Sequence, residues 1–261
     1  MMTTVREIEQ SLCLWAPKET AMPGDNVGHL IGEPDCAVER ILVALDITPD
    51  VVLEAVDGKY DLIVSHHPIM NCTWLPVQTI RDDTVQGKMF IDMIRHNVSA
   101  ICMHTNLDAS TGGVNDVFAN LLGLSGVAVI EGGEGVVRAG ERTEESDLAS
   151  FLAVVKSALK PNGIRYVDAG KPVRKVAVGG GACGDFFRCA ADAGCDTFVT
   201  SDVKYNQFLD AKDIGLNLID AGHFPTEDPV CEAVIQYLGE RFPQLTIEKS
   251  VSHREIIQYY M

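Results

Sequence analysis

The feature that most constrains the fold is a stretch that recurs, without a gap, 135 residues further along the chain. Its first copy begins with Ile41-Leu-Val-Ala-Leu45, a continuous apolar run of strand length, the pattern of a strand buried on both faces in a parallel sheet. Thr48-Pro49 ends that strand, because threonine is a good N-cap and proline fits the first position of a helix. A helix over 49–57 that turns Val52, Ala55 and Val56 inward, stopped by Gly58, leads to a second strand at Leu62-Ile-Val64. The result is a β-α-β unit. In the second copy Val176 and Val178 fall on Ile41 and Val43, Ala190 on Ala55, Asp192 on Asp57, and Asp196-Thr-Phe-Val-Thr200 on Asp61-Leu-Ile-Val-Ser65. Any two such units share apolar strands and an alanine-rich helix, but a match in register over the whole unit reads as an internal duplication. A short helix over 8–15 and a Pro/Gly/Asp loop over 17–26 precede the first copy. The Gly/Glu-rich passage from Glu131 to Glu145 reads as a connection or an exposed hairpin between the halves. The pattern predicts an α/β protein of two similar lobes meeting at a shared cleft, 1–127 and 128–261, with the C-terminal segment able to pack back on the first.

Composition supports a globular chain and narrows its partners. The 261 residues are 46% hydrophobic and 22% charged, enough apolar material for a real core, which excludes wholesale disorder and fibrous classes. Lysine and arginine number 21 against 37 acidic residues, a formal charge of −16 with no basic stripe, so the surface repels nucleic acid. No run approaches the ~20 apolar residues of a membrane helix. The N-terminal stretch MMTTVREIEQSLCLWAPKET has charges at both ends and too short an apolar centre for a secretory leader. Eight cysteines (13, 36, 72, 102, 183, 189, 195 and 231) contain no CxxC pair, which suits small core residues in a reducing compartment. The expected location is the cytoplasm, where the sequons at Asn71 and Asn97 carry no sugar.

The candidate chemistry lies in histidines and carboxylates at strand ends, where α/β sheets place ligands. His66 and His67 follow Leu62–Ser65, and His223 follows Leu216–Ala221. His104-Thr-Asn-Leu-Asp108 and His223-Phe-Pro-Thr-Glu227 each set a carboxylate four residues after a histidine that follows an apolar strand. A His-His pair alone reads as two hydrogen-bonded surface residues; the same pair joined to His104, Asp108, His223 and Glu227 reads as a ligand set. Adjacent side chains on an extended chain point to opposite sides, so His66 and His67 require either two ions or a bend at Pro68. Imidazoles and carboxylates without thiolate suit Zn, Fe or Mn. Five ligands, His66, His67, Asp108, His223 and Glu227, exceed one tetrahedral ion and fit two divalent metal ions per chain with Asp108 as the bridge. His104 is then either a sixth ligand or, as the better reading, a group that supports the ligands or moves protons close to the metals.

A rival signal is the glycine turn Gly179-Gly-Gly181-Ala-Cys-Gly184, which follows a strand, opens a helix and precedes Asp202 by the spacing of a dinucleotide fingerprint. The equivalent turn in the first copy, Asp46-Ile-Thr-Pro49, lacks glycine, so the turn reads better as a place where backbone approaches the cleft or a ligand phosphate.

The motifs Gly24-Asp-Asn-Val-Gly-His-Leu-Ile-Gly32, Ala44-Leu-Asp-Ile-Thr-Pro49, Ile63-Val-Ser-His-His-Pro68, His104–Asp108 with Gly112-Gly-Val-Asn115, Thr200-Ser-Asp-Val-Lys-Tyr205 and Asp220-Ala-Gly-His-Phe-Pro-Thr-Glu227 resemble, in order, those of the GTP cyclohydrolase 1 type 2 homologues, the YbgI-like or NIF-three-like proteins. The resemblance runs from about residue 24 to 240. It implies two interlocked α/β domains with a dinuclear metal centre in a cleft, ligands at His66, His67, Asp108, His223 and Glu227, and a toroidal homohexamer whose metals face an inner cavity. The short segment 128–172 implies that the inserted domain of some members is missing. Where the family shows Thr-Gly-Asp and then Lys-Tyr-His, this chain has Thr200-Ser201-Asp202 and Lys204-Tyr205-Asn206.

Two functions follow as expectations. The first is a metal-dependent hydrolase of a small nucleotide-like molecule, with His104 moving protons and Lys204 and Gly181 holding phosphates. The second is a non-enzymatic metal-binding or interaction protein, with neither nucleic acid nor membrane as partner.

Overall fold

The computed structural model describes residues 2–70 and 76–260; Cys72 and the Asn71 sequon lie outside the described residues. The chain divides into two units: the first holds 1–110 and 230–254, the second 111–229 and 255–261. The division falls after Ser110, whereas the sequence pattern set it at 127; each unit receives a later piece of chain, so the two interleave along the sequence.

The chain opens with helix α1 (Val5–Trp15), which starts at a capping box of Thr4 and Glu7 and buries Val5, Ile8 and Leu12 on one stripe. Strands β1 (Gly28–Ile31) and β2 (Arg40–Ala44) follow, then α2 (Pro49–Asp57), capped by Thr48 with Pro49 in its first turn as the sequence predicts. Strand β3 (Leu62–Ser65), helix α3 (Val85–Arg95), strand β4 (Ser99–Cys102) and the one-turn helix α4 (Thr105–Ala109) complete the first stretch. The second unit contains α5 (Val114–Leu121), β5 (Ser125–Val129), β6 (Arg138–Ser146), α6 (Leu148–Leu159), β7 (Arg165–Val167), β8 (Val173–Val178), α7 (Phe187–Asp192), β9 (Thr197–Thr200), α8 (Tyr205–Asp213), β10 (Asn217–Asp220) and α9 (His223–Glu227). Helix α10 (Val230–Arg241) and strand β11 (Thr246–Lys249) then return to the first unit.

In the first unit a five-stranded sheet has the order β1-β4-β3-β2-β11, parallel except for β1. Strands β3 and β4 are buried along their whole length, which is why they read as unbroken apolar runs. Leu42, Ile63, Phe90 and Met93 form the core on one face of the sheet. In the second unit a six-stranded sheet has the order β5-β6-β8-β9-β10-β7. Its parallel centre is β8, β9 and β10, and Phe118, Phe151, Val176 and Ile219 lie in the core against it. Residues 131–135 are the turn of a β5–β6 hairpin, while Arg138–Ser146 is an internal strand, so the Gly/Glu-rich passage is only in part a connection.

The duplication is legible in hydrogen bonds. Ile41 pairs with Leu62 and Val176 with Thr197, the same register 135 positions apart. Asp61 accepts from the amides of Glu39 and Arg40 at 2.8 and 2.9 Å, and Asp196 from those of Arg174 and Lys175 at 2.9 and 2.7 Å. The third strands match too, since Met103 N donates to Ser65 O and Ala221 N to Thr200 O, each at 2.9 Å. That pairing aligns α4 with α9 and puts Thr105, not His104, opposite His223. The two histidine-carboxylate pairs are therefore one residue out of step with the repeat.

No helix among the described residues is long and apolar enough to cross a membrane. Of the described cysteines, 102, 183, 195 and 231 are buried, as small core residues are, and 13, 36 and 189 are half-buried.

Candidate metal centre

In the first unit the carboxyl ends of β3 and β4 gather three imidazoles. The amides of His66 and His67 continue the β2–β3 pairing past the strand, donating to Ala44 O at 3.3 Å and Leu45 O at 2.9 Å. Ser65 Oγ then donates to His67 O at 2.9 Å, closing a tight bend. The two rings consequently lie 5.0 Å apart and tilted 43°, where an extended chain would send them to opposite sides. His104, at the N-cap of α4, brings its ring to 5.2 Å from His66 and 5.5 Å from His67. One donor atom from each of the three lies within 4.8 Å of the other two, so the cluster can hold a metal ion. Asp108, three residues into α4 from Thr105, sets its Oδ1 3.6 Å from His66 Nε2.

Each ring is oriented through Nδ1. His66 Nδ1 donates to Met103 O at 2.7 Å, His67 Nδ1 to Asp46 Oδ1 at 2.7 Å, and His104 Nδ1 to Asp25 Oδ1 at 2.8 Å. Carbonyl and carboxylate oxygens only accept, so in the neutral ring Nδ1 carries the proton and Nε2 presents its lone pair. That is the tautomer a metal needs. Burial opposes charge on Asp25, but His104, Thr105 and Asn26 donate to it and hold its carboxyl well below the usual carboxylate range. Asp46 is held low in the same way, against burial, by His253 and His67.

In the second unit the same device recurs on α9. Gly222, with φ +89°, makes the reversal from β10 into the helix, a conformation that leaves a side chain strained. His223 Nδ1 donates to Asp202 Oδ2 at 2.7 Å, and its Nε2 lies 3.0 Å from Glu227 Oε2. Glu227 is 4% exposed. Burial disfavours the His223 charge, yet Glu227 and Asp202 outweigh it and raise the imidazole to about 11. Asp202 is lowered chiefly by its hydrogen bond from His223, against burial. A cation on Nε2 has to displace a proton there.

The first three amides of the glycine turn are spent inside the second unit. Gly179 N donates to Val199 O at 3.1 Å, Gly180 N to Asn115 Oδ1 at 2.7 Å and Gly181 N to Thr226 Oγ1 at 3.0 Å. A Cβ on Gly181, whose φ is +61°, would sit 1.9 Å from Glu227 Oε1. The turn makes room for Glu227, which the fingerprint spacing did not indicate. Lys204 is largely exposed, with Nζ 3.6 Å from the exposed Asp185.

Asp25, Asp46 and Asp202 orient the rings, and each lies inside a motif that carries the family resemblance, where its residue type alone does not reveal that role. His253, 2.8 Å from Asp46 Oδ2 across 207 residues of sequence, gave no sequence signal at all.

A family model described as Duf34/NIF3 (NGG1p interacting factor 3) matches residues 3–256. A Clostridium perfringens protein called GTP cyclohydrolase 1 type 2 homolog is 34% identical over 223 residues, 83% of this chain and 84% of that protein. The crystal structure of the Staphylococcus aureus hypothetical protein SA1388 superposes with a TM-score of 0.90 over 100% of both chains at 27% identity. A Bacillus cereus protein related to NIF3 shares the fold, with a TM-score of 0.89 over 99% of each chain at 24% identity.

Proposed function

The chain belongs to the Duf34/NIF3 family, and from that footing we propose that it binds a pair of divalent cations through His66, His67, Asp108, His223 and Glu227 and hydrolyses a small nucleotide-like substrate. The observation that carries the reading is a repeated ring orientation: the three candidate ligands His66, His67 and His223, in two units, each donate Nδ1–H to a fixed oxygen at 2.7 Å. Structural histidines have no reason to share one polarity; metal ligands do, because ring orientation and basicity set affinity. The donor chemistry, imidazole with carboxylate, suits Zn, Fe or Mn.

A bound cation pair supplies Lewis-acid polarisation and a water that is nucleophilic at neutral pH. The chain's own groups do the rest. His104, held by Asp25, keeps Nε2 to take up or return a proton near the substrate. Lys204 offers an exposed ammonium to a phosphate. Gly181 leaves space for the Glu227 carboxylate. Six copies forming a ring would give such a site an enclosed environment.

The test is to purify the chain without added metal, measure metal per chain, and then assay GTP and a nucleotide panel separately for purine ring opening and phosphate release. About two ions per chain, with metal-dependent turnover of one nucleotide, is the expected result. Two ions without turnover leaves a metal-binding protein and removes the hydrolase.

A further inference from the structure

We infer that His253 is a positioning residue for the His67 imidazole, acting through Asp46 from a C-terminal strap pinned by Glu54; the inference rests on the metal-binding reading above. Asp46, just beyond the end of β2, divides its two oxygens between two histidines. Oδ1 accepts from His67 Nδ1 at 2.7 Å and Oδ2 accepts from His253 Nε2 at 2.8 Å. The carboxylate is therefore gripped from both sides and cannot rotate without breaking one bond. With a single partner it could swing either oxygen toward His67, and the ring would lose its fixed direction. His253 makes the grip specific to one rotamer.

The residue that does this arrives on irregular chain, which needs its own anchor. Past β11, Ser250 N donates to Val43 O at 2.8 Å, the last bond of the β11–β2 pairing. From there Glu54 on α2 collects the strap: Ser250 Oγ donates to Oε2 at 2.6 Å, Val251 N to Oε1 at 3.0 Å and Ser252 N to Oε2 at 3.1 Å. Ser250 Oγ also accepts from His253 N at 3.3 Å. One carboxylate thus fixes three consecutive residues and presents His253, whose side chain is 10% exposed, to Asp46. A tail merely stapled to the surface would not need a nearly buried imidazole whose partner also holds a candidate ligand.

Partners that orient a ligating histidine typically change metal affinity by about 10–100-fold when removed. The experiment uses the full chain and zinc, with affinity read by competition against a chromophoric chelator and thermal unfolding of the metal-free chain recorded alongside. His253→Ala is expected to weaken zinc binding about tenfold or more, with the metal-free unfolding midpoint shifting little. His253→Gln, whose amide N–H can still donate to Asp46, should restore most of the affinity. Glu54→Ala, which removes the carboxylate that holds Ser250, Val251 and Ser252, should weaken it in the same direction by releasing the strap. Wild-type affinity in His253→Ala overturns the inference, as does a Gln variant no better than Ala. If Ala does not fold, the Gln and Glu54 variants decide between the same outcomes. Should the wild-type chain itself bind no zinc, the metal-binding reading fails, and this inference with it.

Discussion

Asp61 and Asp196 stand 135 positions apart and do the same work, each accepting two successive amides at the start of the neighbouring parallel strand, β2 or β8. A carboxylate in this place supplies acceptors that the strand's first residues lack within the sheet. Replacing either with alanine leaves two backbone donors without their acceptor, both partly buried for Asp196 and one of them for Asp61, so each variant should lose about 1–3 kcal/mol of stability, measured by urea unfolding. The two losses should be alike because the hydrogen bonds are alike; a silent Asp196→Ala beside a damaging Asp61→Ala would count against equivalence.

Gly181→Ala places a methyl group where Glu227 Oε1 now lies. The chain should still fold, at a cost of about 1–2 kcal/mol for a left-handed alanine, but bound metal should fall as far as in Glu227→Ala. Metal analysis after gel filtration checks this. Full metal content in the alanine variant would mean Glu227 has somewhere else to go.

Glu227→Ala should lower bound metal from about two ions per chain toward one, and Asp108→Ala should lower it further, because on the proposed reading the Asp108 carboxylate would supply negative charge to both cations and its loss would leave them less screened from each other. Elemental analysis of both variants, dialysed against a weak chelator, makes the comparison. Equal loss of a single ion in each, with the remaining ion bound at wild-type affinity, would instead indicate separate mononuclear sites.

The strap held by Glu54 is expected to loosen in acid. Burial raises the Glu54 carboxyl, but donors from Ser250, Val251 and Ser252 outweigh it and hold it below its ordinary value of 4.5. A depressed folded-state value means the stabilisation is complete above the unfolded value and disappears as pH falls through the folded one. Amide exchange at Val251 and Ser252 should therefore be pH-independent in its protection above about 5 and lose protection below 4.5. In Glu54→Gln that acid step should vanish.

Light scattering at micromolar concentration should give a mass near six times the 28.3 kDa chain. A monomer would refute the ring while leaving the ligand assignments to the metal analyses.

The sequence by itself determined the two β-α-β units and their shared register, because the signals are local: apolar runs of strand length, a Thr-Pro helix start, and strand ends marked by histidine. It also marked His66, His67, His104, Asp108, His223 and Glu227, since short motifs keep their members close in the chain. Only the tertiary structure decided which residues orient them. Asp25 reaches His104 over 79 residues and His253 reaches Asp46 over 207, and no periodicity records such a pairing. The one-residue offset between His104 and His223 is likewise invisible, because it follows from which amide just past β4 or β10 finds the carbonyl at the end of β3 or β9. The glycine turn shows the same limit: its spacing fits a phosphate loop, and only the placement of Asn115 and Thr226 reveals that the Gly180 and Gly181 amides are already taken. Burial patterns are written into hydrophobic periodicity, whereas the partners of buried polar groups depend on where distant segments come to rest.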